Sequence, residues 1–66
     1  MIKVTGPDGK KQNFEYQRNT RVNDFLSAAG IKSEKGMVII VNSVNAKLRT
    51  KLKDGDKIIV RPEFIP

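Results

Sequence analysis

Two carboxylates, Asp54 and Asp56, flank Gly55 near the end of a 66-residue chain. Paired acids can hold a calcium ion or share general acid–base work. A calcium loop needs several further oxygen ligands close by, and none stands near this pair. An acid–base pair needs a second group opposite it, and none is supplied. Asp-Gly-Asp therefore reads as a turn, with Gly55 in the position that takes a left-handed backbone. The chain has no histidine and no cysteine. That removes the commonest general base and metal ligand, and with it thiolate chemistry and disulfides. Gly9 is likewise a turn glycine, and no Gly-rich loop could cradle a phosphate. The residues point to a protein that binds and does no chemistry of its own. No cofactor and no metal is expected.

The other candidates are basic. Thirteen Lys and Arg face seven acids, a net charge of +6. Lys47, Arg49, Lys51 and Lys53 recur at every second position, and Lys57 and Arg61 follow. In an extended segment the first four share one side, as a stripe for nucleic-acid phosphates would. The aromatic residues are Phe14, Tyr16, Phe25 and Phe64. A single-strand platform interleaves more aromatics with its charge. The competing reading is edge protection, since lysines on an edge strand discourage association with other edges.

These residues need a scaffold. Met1 to Thr5 alternates apolar and polar, with Ile2 and Val4 on one side. Lys11 to Gln17 alternates again, with Gln12, Phe14 and Tyr16 together. A Pro7-Asp8-Gly9 turn between the two runs predicts a β-hairpin. Which way the Phe14 face points depends on the hairpin's register. Val22, Phe25, Leu26 and Ala29 then fall on one helical face. Thr20, Arg21 or Asn23 could serve as its N-cap, and Gly30 ends it with Ile31 as the hydrophobic contact. Lys32 to Gly36 reads as loop. Met37-Val38-Ile39-Ile40-Val41 has the length and β-branching of a central strand. Asn42-Ser43 ends it, and a short strand is expected around Leu48, between Asn45 and Thr50. Lys57 to Arg61 forms the last strand, Pro62 limits further pairing, and Glu63 to Pro66 is a tail. One domain over residues 1–66 is expected, of modest stability at this size. No run approaches the roughly 20 apolar residues of a membrane span. Nor does the start carry the apolar core of a signal peptide. A cytoplasmic protein, without membrane attachment, is expected.

This order of elements resembles the β-grasp (ubiquitin-like) fold. Two families within it share short motifs with the chain. The small sulfur carriers comprise the thiamine-biosynthesis carrier and the small subunit of molybdopterin synthase. Their pattern is similar to Val22-Asn23-Asp24-Phe25-Leu26, Val41-Asn42, Leu52-Lys53-Asp54-Gly55-Asp56 and Pro62. TGS domains, appended to threonyl-tRNA synthetase and to some GTPases and alarmone enzymes, resemble Pro7-Asp8-Gly9-Lys10 as well. The resemblance implies an α+β fold, a mixed four- to five-stranded sheet with one helix across one face. Sulfur carriers end in Gly-Gly, whose terminal carboxylate is adenylated and becomes a thiocarboxylate. This sequence has no Gly-Gly and ends Phe64-Ile65-Pro66, where proline fixes φ and its ring is bulky. Activation by that route is not expected.

With a helix on one side only, Met37, Ile39, Val41, Ile58 and Val60 should meet it. The remaining core is expected to be Ile2, Val4, Val22, Phe25, Leu26, Ala29, Leu48 and Leu52. Val38, Ile40 and Ile59 should stand on the open side, with Phe64 and Ile65 joining or covering them. Ubiquitin-like proteins use that side for partners, so a protein partner is the leading expectation, with a monomer or weak dimer. One alternative is a TGS-like nucleic-acid module using Lys47, Arg49, Lys51, Lys53, Lys57 and Arg61. Another is a sulfur carrier whose tail lies beyond Pro66.

Overall fold

Alternation along the strands decides which side chains enter the core, and the register then aligns them across the sheet. The computed structural model describes residues 1–31 and 37–62. Strand β1 spans Ile2–Thr5, β2 Lys11–Phe14, β3 Met37–Val41, β4 Val44–Ala46 and β5 Lys57–Pro62; the helix α1 spans Val22–Ala28. The sheet order is β2-β1-β5-β3-β4. β5 runs parallel to β1, and the β1–β2, β3–β4 and β3–β5 pairs are antiparallel. One helix on a mixed five-stranded sheet of this order is the β-grasp arrangement.

The pairs Val4↔Ile58, Val41↔Ile58 and Ile39↔Val60 place five apolar residues side by side on one face. Ile2, Val4, Ile58 and Val60 are at most 1% exposed, and Ile39 is also buried. Val22, Phe25 and Leu26 of α1, together with Leu52, complete this core. Each fully buried aliphatic side chain contributes about 1.5–3 kcal/mol. A seven-residue helix is too short to be stable alone, so α1 is held by those three side chains. Ala29, Met37, Val41 and Leu48 pack against the core but stay partly exposed. Ile2↔Phe14 settles the hairpin register and puts Phe14 on the helix side, 6.2 Å from the Phe25 ring. Tyr16 lies beyond the end of β2, which stops at Phe14 and not at Gln17; its hydroxyl donates to the Leu52 carbonyl at 3.2 Å.

Both helix ends have identifiable causes. Arg21 is the N-cap residue, and its N–H donates to Asp24 Oδ2 at 2.8 Å. Thr20 spends its hydroxyl on the Gln17 carbonyl instead. At the other end Gly30 N–H reaches the Ser27 carbonyl and Ile31 N–H the Leu26 carbonyl. This is a Schellman closure, and Gly30 supplies its left-handed residue at φ +75°.

The fourth strand is a correction. The sequence reading centres it on Leu48, whereas it occupies Val44–Ala46, joined to β3 by the two-residue turn Asn42-Ser43. Both turn residues have positive φ, 51° and 70°, as a type I′ hairpin requires. Leu48 lies in the next turn, where Thr50 N–H donates to the Lys47 carbonyl.

Candidate functional site

Strands that bury every second residue present the others on the opposite face. In β3 these are Val38 and Ile40; in β5 they are Lys57, Ile59 and Arg61. Ile40 pairs directly with Ile59, and Val38 with Arg61. The three aliphatic side chains therefore lie on two adjacent central strands, Ile40 beside Ile59 and Val38 two residues along β3. Ile59 is 38% exposed, and Val38 and Ile40 are half-buried. The helix cannot shield them, because its apolar face is committed to the opposite side of the sheet. Phe64 and Ile65, expected to join this patch, lie outside the described residues.

The same face continues into β1 with Lys3 and Thr5 and into β2 with Lys11 and Asn13. Lys3 stands directly opposite Lys57, and Thr5 opposite Ile59. Sequence reading places Lys57 and Arg61 with the basic stripe. It misses that they border the aliphatic residues, and it misses Lys3 and Lys11 altogether. Strand alternation already puts Lys3 on the side away from Ile2 and Val4, so the signal was present; the unknown was which strand would lie beside it.

The stripe itself is not extended. Residues Lys47 to Thr50 form a turn, locked by Thr50 Oγ1 accepting the Lys47 N–H at 2.9 Å, so Lys47 and Arg49 do not share a strand face with Lys51. Lys47, Arg49, Lys51 and Lys53 are exposed. The segment is also not a sheet edge, since the edge strands are β2 and β4. It runs instead along the start of α1. Lys51 forms an isolated bridge with Arg21, and the Arg21 guanidinium donates to the Arg49 carbonyl at 3.0 Å. Arg21 thus joins Arg49 and Lys51 at a basic corner on the helix side, away from the open face.

The carboxylate pair is fully employed in structure. Asp56 accepts the Lys53 N–H at 2.7 Å through Oδ2 and the Asn42 side-chain amide at 2.7 Å through Oδ1. Asn42 Oδ1 in turn accepts the Lys57 N–H, tying the β3–β4 turn to the start of β5. Asp54 faces outward and accepts the Met1 ammonium at 2.6 Å. That hydrogen bond and the positive charge behind it hold the Asp54 carboxyl below its ordinary pKa of 3.8. The two acids share no ligand geometry.

Open clefts among the described residues include the following two. One, of about 460 Å³, lies between the β1–β2 turn and the end of α1, lined by Gly6, Pro7, Lys10, Gly30 and Met37. Two of its polar side chains are engaged: Asp8 accepts the Lys10 N–H, and Gln12 donates to the Ala29 carbonyl. The other, of about 220 Å³, is floored by Phe14 and Phe25, with the Thr20 hydroxyl donated to the Gln17 carbonyl and Asp24 spent on the helix start. The first cleft has Asp8 and Lys10 in its lining, and the second Glu15 and Asp24. No helix among the described residues is long and apolar enough to cross a membrane.

In comparisons with known proteins, no family model, no curated protein and no solved structure significantly matches the chain.

Proposed function

We propose that this domain is a non-catalytic binding module that docks a protein partner on the open face of its sheet. The observation that carries this reading is the Ile40↔Ile59 pair, with Val38 beside it, on two central strands that the helix leaves uncovered. Scattered exposed aliphatics need no explanation, but a contiguous group at the middle of a sheet is an interaction surface in waiting. A β-grasp scaffold suits that task because its core needs only one face. The resemblance to sulfur carriers then lies in the scaffold.

The test is Ile40→Asp. A carboxylate at a half-exposed position leaves the fold intact, so circular dichroism and amide dispersion stay those of the parent. Proteins captured by the parent domain, and resistant to nuclease and high salt, are lost from the variant. If the variant unfolds, the face assignment is wrong; if capture is unchanged, the docking face is elsewhere.

A second reading has one specific observation behind it. Arg21, Arg49 and Lys51 meet at one corner, and this cluster could take nucleic-acid phosphates. Binding there would weaken steeply with salt, because each phosphate contact releases counterions. Affinity that is flat between low and high salt, or no RNA binding at low salt, eliminates it.

A further inference from the structure

The open face has a charge pattern as one-sided as its hydrophobicity. Beside the aliphatic residues it presents Lys3, Lys11, Lys57 and Arg61, and no strand residue on this face is an acid. Lys3 and Lys57 stand directly across from each other on paired strands, where like charges repel. The ion pair found among the described residues joins Met1 to Asp54, so no carboxylate among those residues pairs with these four cations. A fold gains nothing by opposing two lysines across its β1–β5 pair. A partner bringing negative charge does gain, because its carboxylates relieve the repulsion while its apolar groups cover Ile40 and Ile59.

We propose that the open face accepts an acidic, aliphatic segment of a partner protein, whose Asp or Glu side chains meet Lys3, Lys57 and Arg61 around an apolar contact on Val38, Ile40 and Ile59. The proposal rests on the reading of this face as the docking surface and adds the chemistry of its occupant. Two other occupants fit less well. A single-stranded nucleic acid would satisfy the cations, but base stacking needs aromatic platforms, and among the described residues this face has none: Phe14 is on the helix side, Tyr16 packs against the core and Phe25 is in α1. A second copy of the chain, docked face to face, would set the same four cations against themselves. Electrostatic complementarity acts mainly on recognition and on encounter rate, so the acidic partner is selected by charge and retained by apolar burial.

The test uses the full chain, isotopically labelled, and follows amide shifts during titration. The probes are two synthetic peptides with identical aliphatic positions, one with Glu at every polar position and one with Lys. A mixed-sequence single-stranded oligonucleotide and a dilution series of the protein alone complete the set. At low salt the Glu peptide should bind at least about tenfold more tightly than the Lys peptide, the difference falling as salt screens it. Its shifts should map to Lys3, Val38, Ile40, Lys57 and Ile59. Lys57→Glu should shrink the preference with the fold unchanged, and Lys3→Glu provides a second variant. Equal binding of both peptides on this face would overturn the acidic chemistry and leave the docking surface standing. Shifts mapping elsewhere would overturn both. Preferential binding of the oligonucleotide on this face, concentration-dependent shifts there without any probe, or no binding of either peptide each refutes the proposal.

Discussion

Asn42 and Ser43 occupy the same kind of backbone conformation, yet replacing each by glycine should have opposite effects. Both have positive φ, 51° and 70°. A side chain in the left-handed region costs about 1–2 kcal/mol, and less for asparagine. Ser43 is exposed, and among the described hydrogen bonds its side chain makes none. Ser43→Gly therefore removes that strain and returns only the extra chain entropy of glycine, about 0.5–1 kcal/mol. The net expectation is a stabilisation of about 0.5–1 kcal/mol, or a rise in Tm of about 2–8 °C for a domain of this size. Asn42 is different, because its amide donates to Asp56 Oδ1 at 2.7 Å and its carbonyl accepts the Lys57 N–H at 3.0 Å. Losing two hydrogen bonds at about 0.5–1.5 kcal/mol each outweighs the smaller relief, so Asn42→Gly should destabilise by about 1 kcal/mol. Urea denaturation followed by circular dichroism measures both. If Ser43→Gly destabilises the domain, or if Asn42→Gly stabilises it equally, the I′ turn and its bond to β5 are misassigned.

Three further expectations follow from the face assignments and the surface charges. Ile39→Ala should cost about 2–5 kcal/mol and Ile40→Ala about 1 kcal/mol or less, since one side chain is buried and its neighbour faces out; chemical denaturation returning equal losses would refute the alternation. Lys57→Glu should raise stability by about 0.2–1 kcal/mol by pairing with Lys3, with the gain shrinking in high salt; a salt-independent loss would show that the two side chains do not face each other. Asp54 should titrate below 3.8 by NMR while the Met1 amine is free, and acetylating that amine should raise its midpoint. Because the folded-state value is depressed, what the pair contributes is present above the ordinary carboxylate value and lost as pH falls through the lowered one. A midpoint unmoved by acetylation would mean that the contact is not held in solution.

Most of the scaffold is legible in the residues themselves. Ile2 and Val4 alternate, Met37 to Val41 is β-branched, and Val22, Phe25 and Leu26 keep helical spacing. Every buried apolar residue of the described chain is among those expected in the core. The β3–β4 hairpin escapes because Asn42-Ser43 lacks the glycine that usually marks an I′ turn, so the short strand reads as lying within Asn45 to Thr50, around Leu48. The stripe misleads for the opposite reason. Lys47, Arg49, Lys51 and Lys53 alternate in sequence, but periodicity reports geometry only where the backbone is extended, and here it turns. Arg21 could not be assigned to the basic corner from sequence, because 28 residues separate it from the Arg49 carbonyl it meets. Likewise nothing local says that Lys3 will oppose Lys57; that follows from β5 lying beside β1.

The position of β5 also governs how this chain can be made. β5 is the centre of the sheet, with β1 on one flank and β3 on the other, and it is the last strand in the described chain. Until residues 57–62 are synthesised, the protein is two separate hairpins, and an isolated hairpin is marginal in water. Folding during translation then has no stable halfway stage: residues 1–56 wait with Ile2, Val4 and Ile39 uncovered, and the whole core forms when one six-residue segment arrives between them. A ribosome stalled before Lys57 would hold a nascent chain open to proteases along its length, and the onset of protection would coincide with release of that single strand.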